Sequence, residues 1–352
     1  MKLAVVGLGF MGSTHLKALG KVPGAQLAAV CSHDERKLAG DLSAVKGNLG
    51  GAGEQLDFRE VRKYREMDAL LADPEIEAVD LCLPTDLHEP VTVAALRAGK
   101  HVLVEKPMAL DGASANRMIA EAEKQGRVLM TAQVLRFFPE YLALEEAVKR
   151  PDLGPMLGMM RSAAFRRRCA APAWGGWLKD AARSGGGVFD LLIHDADMCL
   201  HLFGKPEWVA ATGYTDAGRG IDTLQAELFY GSGAVATVTG GWQHSGAFPF
   251  SMEYSVTLDG GTVEYSSAGR APTLYGGDGS EQVLALRDGD KYAGGECGGD
   301  GYAAEIAYFV ECCSAGKQPE RCPPRESADA VDLMLLMLAA RSGNGEKMKC
   351  QL

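Results

Sequence analysis

Residues 2–21 read KLAVVGLGFMGSTHLKALGK, and the fold turns on how this stretch is understood. KLAVVGL reads as a buried strand and GSTHLKALGK as the opening of a helix. Between them Gly7, Gly9 and Gly12 form G-x-G-x-x-G, with Phe10 and Met11 inside the motif. Gly7 permits a tight turn, Gly9 lets backbone approach a pyrophosphate, and Gly12 allows close helix–strand packing. The helix N-terminus offers free amides and a favourable dipole to phosphates. A glycine triplet by itself marks only a compact turn. The strand before it and the helix after it make this one a dinucleotide-binding turn.

Working outward, short apolar strands alternate with helical segments through the first 130 residues. AQLAAVCSH and AVDLCLPTD are strands, HEPVTVAALRAGK a helix, HVLVEKP a strand, DGASANRMIAEAEKQG a helix and RVLMTAQV a strand. This alternation predicts a mostly parallel sheet covered on both faces. VKGNLGGAGEQLD, residues 45–57, has no clear period and reads as a surface loop. After about Phe137 the chain becomes strand-rich, with turns at YGSG and LDGG that suit antiparallel connections. The expectation is an α/β protein with an N-terminal Rossmann domain, 1–130. A second α/β domain, 131–352, is built on a large, mostly antiparallel open sheet. The final helix is a candidate to pack back on the first domain.

The length of 352 residues suits two domains, and 47% apolar with 23% charged residues is ordinary for a globular chain. A net charge of -10 argues against nucleic acid or an anionic membrane as partner, while leaving room for a locally basic pocket. MKLAVVGLG has no signal-peptide pattern, and no apolar run approaches a membrane span. Nine scattered cysteines, an odd number without paired short spacings, argue against a disulfide scaffold or structural zinc and favour a reducing cytoplasm.

The second strand bears on the cofactor. An NAD site places Asp or Glu at its tip to bind the ribose hydroxyls. Here AVCSHDERK puts Ser32 at the tip with His33, Arg36 and Lys37 nearby, which tilts the reading of an NAD(P) site toward NADP. Asp34 or Glu35 would serve a ribose if the register differed. Further on, HVLVEKPMAL sets Glu105 and Lys106 directly after an apolar strand, where open α/β folds place their ligands.

The ordered set GLGFMG, PTDLHEP, EKPMAL and GGGVFDLLIHDAD resembles the Gfo/Idh/MocA oxidoreductases over nearly the whole chain. The resemblance implies a Rossmann domain followed by a domain whose sheet makes an oligomer interface, hence a homodimer or homotetramer. It implies that Lys106 contacts nicotinamide ribose and substrate, and that Glu105 belongs to the same cofactor-binding motif. Asp190 and His194 match a D-x-x-x-H pair, with Asp197 the acid after H-x-x. Pro84, Thr85 and His88 match a dinucleotide-contacting loop, although Asp86 stands where asparagine is common. Arg136 resembles an arginine bordering the substrate pocket, and Ser32-His33 resembles the SR tip of NADP-using members.

Residues 184–204, SGGGVFDLLIHDADMCLHLFG, place Asp190, His194, Asp197 and His201 on one helical face. That stripe is about 16 Å long by helical rise, so its four side chains cannot meet at one ion, and no metal is expected. His194 is the expected base, Lys106 the group that orients the substrate oxygen, and Asp190 a substrate ligand or orienter. His201 reads as structural and Asp195 as a peripheral, solvated acid. Trp174 and Trp177 are candidate pocket walls, and alternation along Arg166–Arg168 predicts that the three arginines do not share a face. The expected activity is hydride transfer between NAD(P) and a sugar, cyclitol or related polyhydroxylated small molecule. The alternative is a non-catalytic dinucleotide-sensing protein, which would not require Lys106, Asp190 and His194 together.

Overall fold

Six strands form the first sheet: β1 (Lys2–Val6), β2 (Gln26–Cys31), β3 (Arg62–Tyr64), β4 (Ala78–Leu81), β5 (His101–Glu105) and β6 (Leu129–Ala132). All pair in parallel in the order β3-β2-β1-β4-β5-β6, the doubly wound arrangement. The computed structural model describes residues 1–47, 53–149, 157–173, 176–284 and 300–352. Residues 48–52 of the glycine-rich loop fall outside these.

Helices α1 (Phe10–Leu19), α2 (Glu35–Leu38), α3 (Met67–Leu71), α4 (His88–Arg97) and α5 (Gly112–Gln125) connect the strands. The register aligns their carboxyl ends: Val6 lies opposite Cys31 and Leu81, and Leu81 opposite Val104. Gly7, Ser32, Cys82 and Lys106 therefore all follow strand ends along one edge of the sheet. The almost unbroken burial of β1, β4, β5 and β6 is what helices on both faces produce.

The second half opens with α6 (Pro139–Lys149) and β7 (Met160–Ala170), then the short α7 (Ala181–Ser184) and the long α8 (Gly187–Phe203). Strands β8 (Trp208–Thr212), β9 (Thr215–Asp216), β10 (Ile221–Phe229), β11 (Val235–His244), β12 (Ser251–Leu258), β13 (Gly261–Ser266), β14 (Arg270–Gly276) and β15 (Glu281–Val283) follow. The chain closes with α9 (Gly301–Ala315), α10 (Pro324–Ser342) and β16 (Met348–Lys349). The second sheet has ten strands, ordered β15-β14-β13-β12-β7-β11-β10-β8-β16 with β9 beside β10. Its one parallel pair is β7 with β11; the rest are antiparallel. Along β7, Ala163, Phe165, Arg167 and Cys169 are buried, while Arg166 and Arg168 point the other way and both bind Glu253.

Two units result: Met1–Phe137 with Gly289–Ala328, and Phe138–Asp288 with Asp329–Leu352. The division falls at 137/138 rather than 130/131, and the helix belonging wholly to the first unit is α9, not the final one. The reason is packing: Ala303, Ile306, Phe309 and Val310 of α9 join Leu16, Leu19 and Phe137 in one apolar core.

Candidate active site

The glycine turn divides its labour as its geometry demands. A Cβ on Gly7, at φ +88°, would sit 2.4 Å from Cys82 O, and one on Gly12 would sit 1.9 Å from Gly7 O. Both positions are closed by backbone. Gly9 differs: a Cβ there meets nothing within 4 Å among the described residues. Gly9 is also the N-cap of α1 and supplies no side-chain cap, so first-turn amides are left to a ligand. Phe10 packs against Gly47, where any Cβ would strike its ring. Thr85, buried on the loop after β4, has a hydroxyl with no hydrogen-bond partner among the described residues. The open Gly9 cradle and this orphaned hydroxyl fit a dinucleotide.

At the β2 tip, the Ser32 amide donates to Tyr64 O at 3.0 Å and its Oγ accepts the Asp34 amide at 3.2 Å. Asp34 caps α2, accepting the Arg36 and Lys37 amides, and Arg36 pairs with Asp41 at 2.6 Å. The Asp34 carboxylate is thus engaged in its own helix cap. His33 is exposed.

Two expected cofactor contacts prove to be internal braces. His88 is buried, with Nδ1 2.7 Å from Pro107 O and Nε2 2.9 Å from Leu83 O, and so ties its loop to the turn after β5. Two carbonyl acceptors favour a protonated ring, yet burial is the larger influence and pushes its pKa below the ordinary value. Glu105 is buried too: Oε1 lies 3.1 Å from His15 Nε2, and Oε2 accepts the Lys106 amide at 2.9 Å. Lys106 itself is half-buried at the head of that turn. Arg136 also departs from expectation. Its guanidinium is buried, and Nη1 donates to Arg321 O at 2.7 Å and to Glu326 at 2.6 Å, the contacts of a brace rather than of a pocket wall.

In the second unit, the three glycines let α8 begin against a tryptophan. Gly185 and Gly186 take φ of +78° and +95°, and a Cβ on Gly187 would lie 2.5 Å from the Trp242 ring. Asp222 Oδ2 accepts the Val188 amide at 2.8 Å, and its Oδ1 takes Arg341 Nη1 at 2.7 Å, fixing the first turn. From Gly187 to Leu200, every residue of α8 is buried except Asp190 and His194. These two lie one turn apart on the same face. Asp197 is fully buried beneath them, and His201 pairs with Glu145 at 3.1 Å, as a structural residue would.

Asp195 is not a solvated acid. It is buried and takes both Nε and Nη2 of Arg167, at 2.9 and 3.0 Å, with Tyr141 OH 3.3 Å from Nη2. Burial opposes the Arg167 charge, but Asp195 and Tyr141 outweigh it and hold the guanidinium protonated. Trp174 lies outside the described residues; Trp177 is half-buried. Sequence reasoning missed His15, Asp80, Asp222 and Arg341. The available signal was Asp80, a lone acid in the apolar strand AVDLCL.

A parallel sheet with an open glycine cradle at its carboxyl edge, and a second unit that presents one Asp–His pair, define a nicotinamide-dependent oxidoreductase. Residues 1–133 match the model of the oxidoreductase family with NAD-binding Rossmann fold, and residues 141–264 match the GFO/IDH/MocA C-terminal domain. The chain belongs to the Gfo/Idh/MocA family. It is 28% identical to myo-inositol 2-dehydrogenase of Thermotoga maritima, covering 100% of this chain and 98% of that one. It is 31% identical to inositol 2-dehydrogenase 2 of Saccharopolyspora erythraea, over 63% of this chain and 59% of that one. The fold is shared with aldose-aldose oxidoreductase from Caulobacter crescentus in complex with glycerol. That match has a TM-score of 0.79, 23% identity and 99% coverage of each chain. No helix among the described residues is long and apolar enough to cross a membrane.

Proposed function

We propose that this protein is an NAD(P)-dependent dehydrogenase or reductase that interconverts an alcohol and a carbonyl on a sugar or cyclitol. The observation that carries the reading is the isolation of Asp190 and His194 as the only residues of α8 between Gly187 and Leu200 that are not buried. The relatives' names, inositol dehydrogenases among them, support the substrate class.

The bound nicotinamide supplies the hydride chemistry. His194 takes the proton of the substrate hydroxyl in oxidation and returns it in reduction. Lys106 donates to the substrate oxygen and stabilises the negative charge that develops there. Asp190 binds a neighbouring hydroxyl or orients the imidazole, and buried Asp197 supports that face of the helix. Gly7, Gly9, Phe10, Met11 and Gly12 hold the dinucleotide, with Pro84 and Thr85 alongside.

NADP is preferred over NAD in this proposal, because Ser32 occupies the β2 tip and Asp34 is committed to its helix cap. The assembly is a homodimer or homotetramer built through the large sheet, whose Arg166, Arg168 and Glu253 row is not covered as the inner row is. Eight free cysteines among the described residues favour a reducing, cytoplasmic setting.

The test is fluorescence titration with NADH and NADPH, followed by an absorbance screen of polyols and sugars. Turnover that falls at least a hundredfold in Lys106→Met and in His194→Ala is the expected result. Cofactor binding without turnover across the panel would favour a sensor. NADH binding far tighter than NADPH would overturn the cofactor preference, and a monomer by light scattering the assembly.

A further inference from the structure

One turn beyond Gly12, α1 turns the His15 ring into the interior of the first unit, where it has no exposed surface. Nδ1 lies 2.8 Å from Asp80 Oδ2 and 3.1 Å from Oδ1, on β4. Nε2 lies 3.1 Å from Glu105 Oε1 at the end of β5, an ion-pair distance outside hydrogen-bond geometry. The other oxygen of that carboxylate accepts the Lys106 amide at 2.9 Å. Three elements thus form a relay from the phosphate-turn helix, through ring and carboxylate, to the backbone of Lys106.

Other groups face the ring as well. Cys82 Sγ lies 3.6 Å from Nδ1, and the Tyr302 ring of α9 is centred 6.0 Å away. Glu305, also on α9, is fully buried, and neither of its carboxyl oxygens has a hydrogen-bond partner among the described residues. Burial alone would push the His15 ring down, but Asp80 and Cys82 outweigh it and carry its pKa well above the ordinary value. Burial would raise Glu105, yet His15, Lys106 and His88 hold it below its usual value. Burial drives Glu305 well up, so it keeps its proton and adds no charge. His15, Asp80 and Cys82 offer ligand atoms within 4.8 Å of one another. Because Asp80 is in hydrogen-bond contact with Nδ1, that nitrogen carries a proton rather than a lone pair for an ion.

Burying ionised groups is costly unless they pair, so an imidazolium set between two carboxylates needs a use that an apolar side chain would not serve. We propose that His15 is a positioning residue for Lys106: it fixes the Glu105 carboxylate, which in turn fixes the backbone on which the lysine is mounted. The consequence for turnover rests on the role given to Lys106 above; the positioning does not.

The experiment reads amide hydrogen exchange at Lys106 in the ligand-free protein, for wild type, His15→Gln and the double variant His15→Gln/Glu105→Gln. His15→Gln is expected to speed Lys106 exchange at least tenfold, with the amides of β1 and β4 within threefold of wild type. The double variant, in which two neutral amides can face each other, is expected to recover most of the protection. The NADH Kd by fluorescence stays within threefold in His15→Gln, while kcat falls about tenfold without a matching change in the cofactor KM. An unchanged Lys106 rate, or acceleration spread evenly through the first unit, would overturn the proposal in favour of a merely structural histidine. Stoichiometric zinc that disappears with His15→Gln would overturn it in favour of a metal site. If His15→Gln does not fold, Asp80→Asn weakens the same relay and must speed Lys106 exchange in the same direction. Exchange results as expected, with wild type inactive on every polyol, would sink the functional reading and leave the positioning intact.

Discussion

Gly9→Ala and Gly12→Ala separate the two tasks of the glycine turn, holding the fold and admitting the cofactor. A Cβ on Gly12 would lie 1.9 Å from Gly7 O and 3.0 Å from Gly7 C, backbone atoms that cannot yield without opening the turn. Overpacking of this kind costs about 1–3 kcal/mol, and contact with backbone places it near the upper end. Gly9 has φ -84° and ψ -159°, which alanine adopts, and its Cβ would meet nothing within 4 Å among the described residues. Alanine is a poorer N-cap by up to about 1 kcal/mol, while the stiffer unfolded chain returns about 0.4–1 kcal/mol, so stability should hardly move. The methyl nevertheless stands where a pyrophosphate must approach. A thirtyfold weaker NADH Kd, about 2 kcal/mol, is the expected result. Urea denaturation and fluorescence titration measure the two effects side by side. Wild-type NADH affinity in Gly9→Ala, or wild-type stability in Gly12→Ala, would refute the reasoning.

Three further outcomes are expected. Asp195→Ala strands the buried Arg167 charge and should cost about 3–5 kcal/mol, whereas Arg167→Met/Asp195→Leu should cost less than half of that; equal losses in urea melts would remove the ion pair from the account. Gly187→Ala drives a methyl to 2.5 Å from Trp242 and should lower both stability, by about 1–3 kcal/mol, and kcat, while leaving the NADH Kd unchanged. A variant with normal kcat would show that the start of α8 does not place His194. Because the His15 pKa is raised in the folded state, its contribution to stability is full below about pH 6.5 and is lost as pH climbs through the folded value. The stability gap between wild type and His15→Gln should therefore shrink toward alkaline pH; a gap that widens would contradict a charged ring.

The parts of the fold legible in the sequence were those written locally. The turn at Gly7–Gly12 lies between a strand and a helix in consecutive residues, and the alternation through residue 130 reports its own parallel sheet. Asp190 and His194 were legible because helical spacing places them on one face. Long-range pairings left no such trace. His15, Asp80 and Glu105 sit on three elements, 65 residues apart for the first two, and each looks like an isolated polar residue in an apolar context. Asp195 looked solvated because its partner, Arg167, lies 28 residues upstream on a strand whose facing had to be guessed. Arg136 and α9 illustrate the same limit: periodicity shows that a helix has an apolar face but not which core will receive it.

That last point bears on how the protein is made. The core of the first unit is completed by Ala303, Ile306, Phe309 and Cys322, residues translated long after Phe137 has left the ribosome. At about 5–20 residues per second the interval is on the order of 10–40 s. The first sheet to be synthesised is thus the last to close, and the second unit's strands are made while it waits with α1 uncovered along one side. A chain stopped before Gly301 would keep every residue of the glycine turn and Lys106, yet lack the helix that shields them from aggregation.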